Sequence, residues 1–223
     1  NKIQELLKKH NLTATFFTTA NFAKKYPKTI KQLSKDNHEI ASHGYSHSQQ
    51  LTLKNLKEAK EAKEKIINKP IKGFRAPRWD LKNINHVEQA GFSYDSSSHP
   101  IYLPGRYSNL NKNRKPHKIG NMIEIPPSTL PPNFSIFWLA FKNFPLVYSK
   151  IFTKINFLNS NYTMLLMHPW EFSKIKHFKL PKYINSIDDK KLLKKFEKYI
   201  LFCKKNKYNF ERVDKYINKI NNL

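Results

Sequence analysis

His43 and His47 stand four residues apart in Ala41-Ser42-His43-Gly44-Tyr45-Ser46-His47-Ser48, directly after the short apolar run Glu39-Ile40-Ala41. Neutral imidazole is the commonest protein metal ligand near pH 7. A helical turn would aim both rings of an i,i+4 pair at one ion. Two surface histidines in a serine-rich turn would read the same, so their partners matter. Three further polar clusters follow strand-like runs: Arg75-Ala76-Pro77-Arg78-Trp79, Asp95-Ser96 and His168-Pro169-Trp170-Glu171. In parallel sheets and barrels the C-terminal ends of the strands share one face, where ligands bind. Arginine is rare here, found only at 75, 78, 106, 114 and 212, and two of the five fall between Gly73 and Trp79. A guanidinium fork grips a carboxylate at two points, which lysine cannot do; a solvated charge is the plainer alternative. Trp79 either fills the core or walls a cleft for a flat, partly apolar ligand such as a sugar ring. Asp95 either caps a turn or acts electrostatically. His168 is either a core histidine or a catalytic acid or base. His10, His38, His86, His117 and His177 read as structural or incidental, and His99 lies near the Asp95 cluster.

The elements that must carry these residues follow from periodicity. Ile3, Leu6 and Leu7 mark a helix over Lys2 to Lys9. Thr13 to Phe17 reads as a buried strand and His38 to Ala41 as the next, with short helices over Asn21 to Tyr26 and from Lys28 to Leu33 between them. Thr52 is placed to cap a helix over Leu53 to Ile67. Gly73 to Ala76 and Phe92 to Tyr94 read as strands around a helix over Ile84 to Gln89. Repeated helix–strand alternation predicts a parallel sheet with crossover helices. A long loop is expected over 99–120, then a strand over Met122 to Ile125. Ser135 to Ile155 reads as helix broken at Pro145, and Tyr162 to Met167 as a very apolar strand delivering His168. A long helix over Lys190 to Lys204, a short strand at Asn209-Phe210 and a closing helix over Val213 to Ile220 complete the chain. The whole is expected to be one domain, 1–223.

The 223 residues carry a net charge of +25, with 39% hydrophobic and 13% aromatic residues. Such a chain can bury a core, which argues against wholesale disorder. The charge would suit nucleic acid. It comes almost wholly from lysine in a sequence also rich in Asn and Ile, which reads as a compositional bias spread over solvated faces. A nucleic-acid partner is therefore not expected, while peripheral association with a membrane or another anionic surface stays open. The single cysteine, Cys203, excludes an intrachain disulfide framework and a multi-cysteine zinc site, and is read as core. No run of 18 apolar residues exists, and the most apolar stretch, Ser135 to Val147, is read as buried helix in preference to an interfacial one. Cytoplasmic and cell-envelope locations both remain open.

Taken in order, Ala14-Thr15-Phe16-Phe17, His38 through His47, Phe74-Arg75-Ala76-Pro77, Tyr94-Asp95-Ser96-Ser97 and Leu165 through Glu171 resemble the polysaccharide deacetylase family, the NodB-homology or carbohydrate esterase family 4 group. Ile123 through Leu130 and the His-Pro-Trp-Glu sequence resemble its branch associated with exopolysaccharide and surface-glycan loci. The similarity runs roughly from Ile3 to Phe172. It implies an α/β fold, a deformed (β/α) barrel. It also implies metal-dependent hydrolysis of N-acetyl or O-acetyl groups on a glycan. His43 and His47 match two metal ligands of the family, Arg75 the residue that orients the base, and His168 the general acid. Asp95 matches the aspartate that tunes that acid. Tyr45, Pro77, Trp79, Leu166 and Trp170 match groove positions, Trp79 only approximately because Arg78 displaces it by one. With two histidines and a carboxylate, zinc is the expected ion, with cobalt or iron as alternatives.

One departure stands out. The family's first motif is an aspartate-bearing strand ahead of the first helix, supplying the base and the third ligand. No aspartate precedes Asp36, and only Glu5 comes earlier among acidic residues. The sequence is therefore expected to be truncated, lacking its first strand. The rival readings are a catalytically inactive carbohydrate-binding relative and a metal-independent amidase of the same fold, of the allantoinase type.

Overall fold

Short β-branched and apolar runs, each followed by an amphipathic helix, bury best as a sheet with helices packed along it. The computed structural model describes residues 2–105, 107–174, 179–184 and 186–220, so Arg106 and His177 lie outside the described residues. In chain order the elements are α1 (Lys2–Lys9), β1 (Thr15–Thr18), α2 (Ala20–Lys25), α3 (Pro27–Lys35), β2 (Glu39–Ser42), α4 (Leu53–Ile67) and β3 (Gly73–Phe74). Then come α5 (Ile84–Gln89), β4 (Tyr94–Asp95), β5 (Tyr102–Leu103), β6 (Tyr107–Ser108), β7 (His117–Ile119) and β8 (Met122–Glu124). The chain continues with β9 (Thr129–Leu130), β10 (Phe134–Ser135), α6 (Trp138–Asn143), α7 (Leu146–Ser160), α8 (Asp189–Lys205) and α9 (Val213–Ile220). Residues 13–99, 116–126 and 210–223 form one unit, and residues 1–12, 100–115 and 127–209 the other.

The first unit holds a six-stranded sheet in the order β1-β2-β3-β4-β8-β7. All its pairs are parallel except β7 against β8. Helices α2 and α3 connect β1 to β2, α4 connects β2 to β3, and α5 connects β3 to β4, as parallel pairing requires. Ile30, Leu33, Ile40, Leu56, Ile71, Phe74, Val87 and Met122 pack into one core. Helix α4 begins where expected: Thr52 Oγ1 accepts from Asn55 N at 3.3 Å, and Asn68 closes the helix in the left-handed region at φ 53°. Gly73 is required by its neighbour, since a Cβ there would lie 1.9 Å from Tyr94 Cζ. The Tyr94 ring crosses Gly73 to donate its hydroxyl proton to buried Glu39 at 2.8 Å.

Lys63 is an exception in α4. It is fully buried, and its ammonium has no hydrogen-bond partner among the described residues. Burial pulls its pKa down to about 7. Between pH 7 and 10.5 the unfolded chain binds this proton and the folded chain does not, so stability rises with pH through that window. Lys63→Met is therefore expected to stabilise the protein at pH 7 by at least about 2 kcal/mol. Urea unfolding at several pH values would show the gain shrinking toward pH 10.5. A gain independent of pH would indicate that packing, not charge, is at stake.

The second unit is mainly helical. Phe141 of α6 meets Tyr199 and Phe196 of α8 with ring centroids 5.5 and 6.1 Å apart, and Leu192, Ile200 and Cys203 are buried on α8. Cys203 is thus the core residue expected. Pro145 does separate two helices, α6 and α7. Among the described residues no helix is long and apolar enough to cross a membrane.

Three expectations about elements fail. Tyr162 to Met167 is not a strand. Asn156 Nδ2 donates to Tyr162 O at 2.6 Å, and Met164 N donates to Ser128 Oγ at 2.8 Å, so side chains take backbone groups that a ladder would use. Asn209-Phe210 likewise forms no strand. The loop expected over 99–120 is broken by the β5–β6 hairpin and by β7, which turns back onto β8 through Gly120 at φ 58°.

Candidate active site

In the sheet-bearing unit the polar clusters gather at the carboxyl ends of the parallel strands. The loop after β2 is tied down by its backbone: His43 N donates to Thr18 O at 2.8 Å, and the first amides of α2, Ala20 N and Asn21 N, donate to Gly44 O and Tyr45 O at 3.0 Å. Gly44 sits at φ 73°, against Pro77 and Leu51, where a side chain would be strained. The turn is irregular, not helical as the i,i+4 spacing suggested. The two imidazoles meet all the same, with centroids 4.9 Å apart and ring planes at 75°.

His43 Nδ1 lies 2.6 Å from Arg75 O. A carbonyl can only accept, so Nδ1 carries the proton and Nε2 holds the lone pair. That is the tautomer that ligates metals through Nε2. His47 is exposed beside it. Two imidazoles are suitable donors for zinc, but a protein-held site takes three or four. Among the described residues no group of three His, Cys, Asp or Glu side chains is placed to hold an ion. The donor set is thus short of the family's triad.

Arg75 is buried. Its Nε donates to Ser96 O at 3.0 Å and its Nη2 to Ser96 Oγ at 2.7 Å, while the guanidinium lies 4.1 Å over the Phe17 ring. Burial lowers its pKa to about 10, against the pull of Tyr94, Asp95 and Glu124. Asp95 and Glu124 are paired in register across β4 and β8 and are both buried. Burial raises both carboxyls above the usual range, Glu124 well above, and a hydrogen bond joins them. Two adjacent buried carboxyls resist carrying two negative charges at once. Ser97 completes the cluster, its hydroxyl donating to Asp95 Oδ1 at 2.6 Å and accepting from Ala76 N at 2.8 Å.

Arg78 and Trp79 occupy successive left-handed conformations, φ 56° and 54°. Such strain in non-glycine residues concentrates at functional sites. The half-buried Trp79 ring packs on His99 at 4.2 Å. Burial and the charge of Arg75 push the His99 pKa down to about 3, so this imidazole is neutral at physiological pH. Tyr45 is half-buried, and Lys24 lies 4.9 Å over its ring while donating to its hydroxyl at 2.7 Å.

In the other unit, His168 does not end a strand. It is instead the cap of a short 3-10 turn, Pro169–Phe172. Buried Glu171 accepts from both His168 N at 2.7 Å and His168 Nδ1 at 2.9 Å. Trp170 stacks on the imidazole at 5.4 Å and Trp138 meets it edge-on at 5.3 Å. The ring is 41% exposed and directs its remaining nitrogen, Nε2, away from Glu171. Leu166 lies half-buried in the irregular segment just upstream.

Sequence reasoning placed Ser96 and Glu171 in polar clusters but gave no role of their own to Glu124, Ser96, Ser97 or Glu171. Glu124 announced itself as a carboxylate inside the apolar run Met122 to Ile125, and Glu171 as the acidic residue three places after a cap.

Residues 1–94 match the family model described as polysaccharide deacetylase. Over that stretch the chain is similar to the polysaccharide deacetylase family. His43, His47, Arg75 and Trp79 lie inside it, while Asp95, Glu124 and His168 lie beyond. A peptidoglycan deacetylase from Helicobacter pylori is 28% identical over 104 residues, 43% of this chain and 36% of that protein, so the match spans about a third of the relative's length. Among solved structures, Puue allantoinase aligns over 96% of this chain and 69% of its own, with 17% identity and a TM-score of 0.64. A CE4 family pseudoenzyme from Bacillus anthracis aligns over 96% and 58%, with 15% identity and a TM-score of 0.56. At these identities the structural likeness establishes the fold: a mixed α/β, mostly parallel arrangement of the NodB type.

Proposed function

We propose that this protein hydrolyses acetyl groups from an N-acetylated or O-acetylated glycan of the bacterial surface, such as peptidoglycan or an exopolysaccharide, with zinc as its ion. The observation that carries the reading is the His43–His47 pair, with His43 locked by the Arg75 carbonyl in the ligating tautomer. His43 and His47 would hold the ion, leaving its other positions to water and to further ligands. When bound, the ion supplies a polarised carbonyl and a more acidic water. His168, oriented by Glu171, donates a proton from Nε2 to the departing amine or alkoxide. Arg75 and Asp95 fix the charge at the strand ends. Tyr45, Pro77, Trp79, Leu166 and Trp170 offer rings and edges suited to a sugar. A cell-envelope location would suit this substrate.

Two tests bear on the reading. Acetate release from acetylated chito-oligosaccharides or peptidoglycan fragments should depend on added zinc and stop with chelator. Calorimetry should find zinc bound by this chain more weakly than about 1 μM, because two imidazoles leave the site a ligand short. Micromolar or tighter zinc would contradict the incomplete site. That no third donor stands among the described residues favours one rival, a catalytically inactive glycan binder, which predicts sugar binding with no acetate at any zinc concentration. Zinc-independent release would favour the amidase reading instead.

A further inference from the structure

Helix α7 buries three polar residues beside Phe152 and turns an apolar row outward. Its buried row includes Ser149, Thr153 and Asn156, at 0%, 2% and 4% exposure. Its outward row is Val147, Ile151, Ile155 and Leu158, at 58%, 53%, 45% and 86%. These four lie at i, i+4, i+8 and i+11, within a quarter-turn of the helix surface. Two of these three polar side chains are satisfied locally, Thr153 Oγ1 meeting Tyr199 OH at 2.6 Å and Asn156 Nδ2 donating to Tyr162 O at 2.6 Å, while Ser149 Oγ has no hydrogen-bond partner among the described residues. Folding therefore does not ask for an apolar outer row, and water does not favour one. A continuous apolar stripe of this kind marks a docking face.

The charges beside it indicate the occupant. Helix α7 has no acidic residue, and Lys154 lies on the flank of the stripe. Next to its start, a surface hollow of about 320 Å³ is lined by Leu146 and by Lys191, Lys194, Lys195 and Lys198 of α8. These lysines follow i, i+3, i+4, i+7 spacing, so one face of α8 presents them together. Lys195 is committed to the carbonyls of Lys142 and Phe144; the other three line the hollow beside it. An apolar helix face edged by lysines is how a peripheral protein seats itself in the interfacial region of an anionic bilayer. A second copy of the chain fits less well, because each copy brings a net charge of +25.

We propose that α7 and the lysine row of α8 form a docking surface for an anionic phospholipid bilayer, with Val147, Ile151, Ile155 and Leu158 entering the headgroup–acyl boundary. Co-sedimentation with vesicles of phosphatidylcholine, with and without phosphatidylglycerol, tests it. Binding is expected on the mixed vesicles and not on the neutral ones. The exposed pair Ile151→Glu with Leu158→Glu should weaken it at least about tenfold. The triple change Lys191→Glu, Lys194→Glu, Lys198→Glu should weaken it and flatten its salt dependence. Thermal melts followed by circular dichroism would establish that both variants fold. Unchanged vesicle binding by the Ile151/Leu158 variant, equal binding to neutral vesicles, or absence of vesicle binding together with a dimer that the same variant abolishes would each overturn the proposal.

Discussion

His168→Ala should lower acetate release about 100-fold or more while leaving zinc affinity within error. The reason lies in the leaving group. An amine expelled from a tetrahedral intermediate must depart protonated, and on the proposed reading His168 supplies that proton from Nε2, its Nδ1 being held by Glu171. Glu171→Gln serves as the companion variant. Its amide nitrogen can no longer accept the Nδ1 proton, and a carbonyl in its place accepts without a charge, so the ring should keep its place and lose its electrostatic support. Activity should fall by roughly tenfold, with a shift of the acidic or basic limb of the pH–rate profile. A merely structural Glu171 would lower the melting temperature and leave that profile where it was. Equal loss of zinc and of activity in His168→Ala would instead put His168 among the ligands.

Arg75→Met should destabilise the fold by about 3–5 kcal/mol, the range seen when one partner of a buried charged cluster is removed. The guanidinium supplies two hydrogen bonds to Ser96 and a positive charge that interacts with Asp95 and Glu124. Arg75→Lys should recover only part of the loss, because a point charge cannot reproduce the fork. Urea unfolding across pH checks both. The two carboxyls have raised folded pKa values, so their contribution is fully present below the unfolded carboxylate range and is lost as pH rises through the folded values. Without Arg75 their charged forms become harder still to keep, and stability should fall more steeply over the same rise. A variant as stable as the parent at neutral pH would show that the pair is neutralised by other means.

Local physics was legible in the residues. The α4 cap at Thr52, the break at Pro145, the helix over Ile84 to Gln89 and the first four strands all appear within a few residues of where spacing put them. Each depends on interactions among near neighbours, which a sequence states directly. The expected strand over Tyr162 to Met167 shows the limit of that reading. Its β-propensity is high, but a strand exists only with a partner, and here side chains take those bonds, Asn156 from the preceding helix and Ser128 from far along the chain. The β5–β6 hairpin and β7 were hidden for the converse reason, since each is only two or three residues long and leaves no periodicity to detect.

The candidate site divides in the same way. By itself the sequence determined which residues could do chemistry: a His-x-x-x-His pair, an arginine chosen where lysine is the rule, and a histidine beside Pro-Trp-Glu. It also determined that no early aspartate accompanies them. Only the tertiary structure decided how each is held. It gave His43 a fixed tautomer through the Arg75 carbonyl, turned Arg75 onto Ser96 and a buried carboxyl pair, and gave His168 a carboxylate of its own. It also turned Val147, Ile151, Ile155 and Leu158 of α7 outward, against what composition alone would suggest. Tautomers, buried carboxyl pairs and the facing of a helix depend on atoms brought together from distant positions, so residue type fixes the available chemistry and the fold fixes its direction.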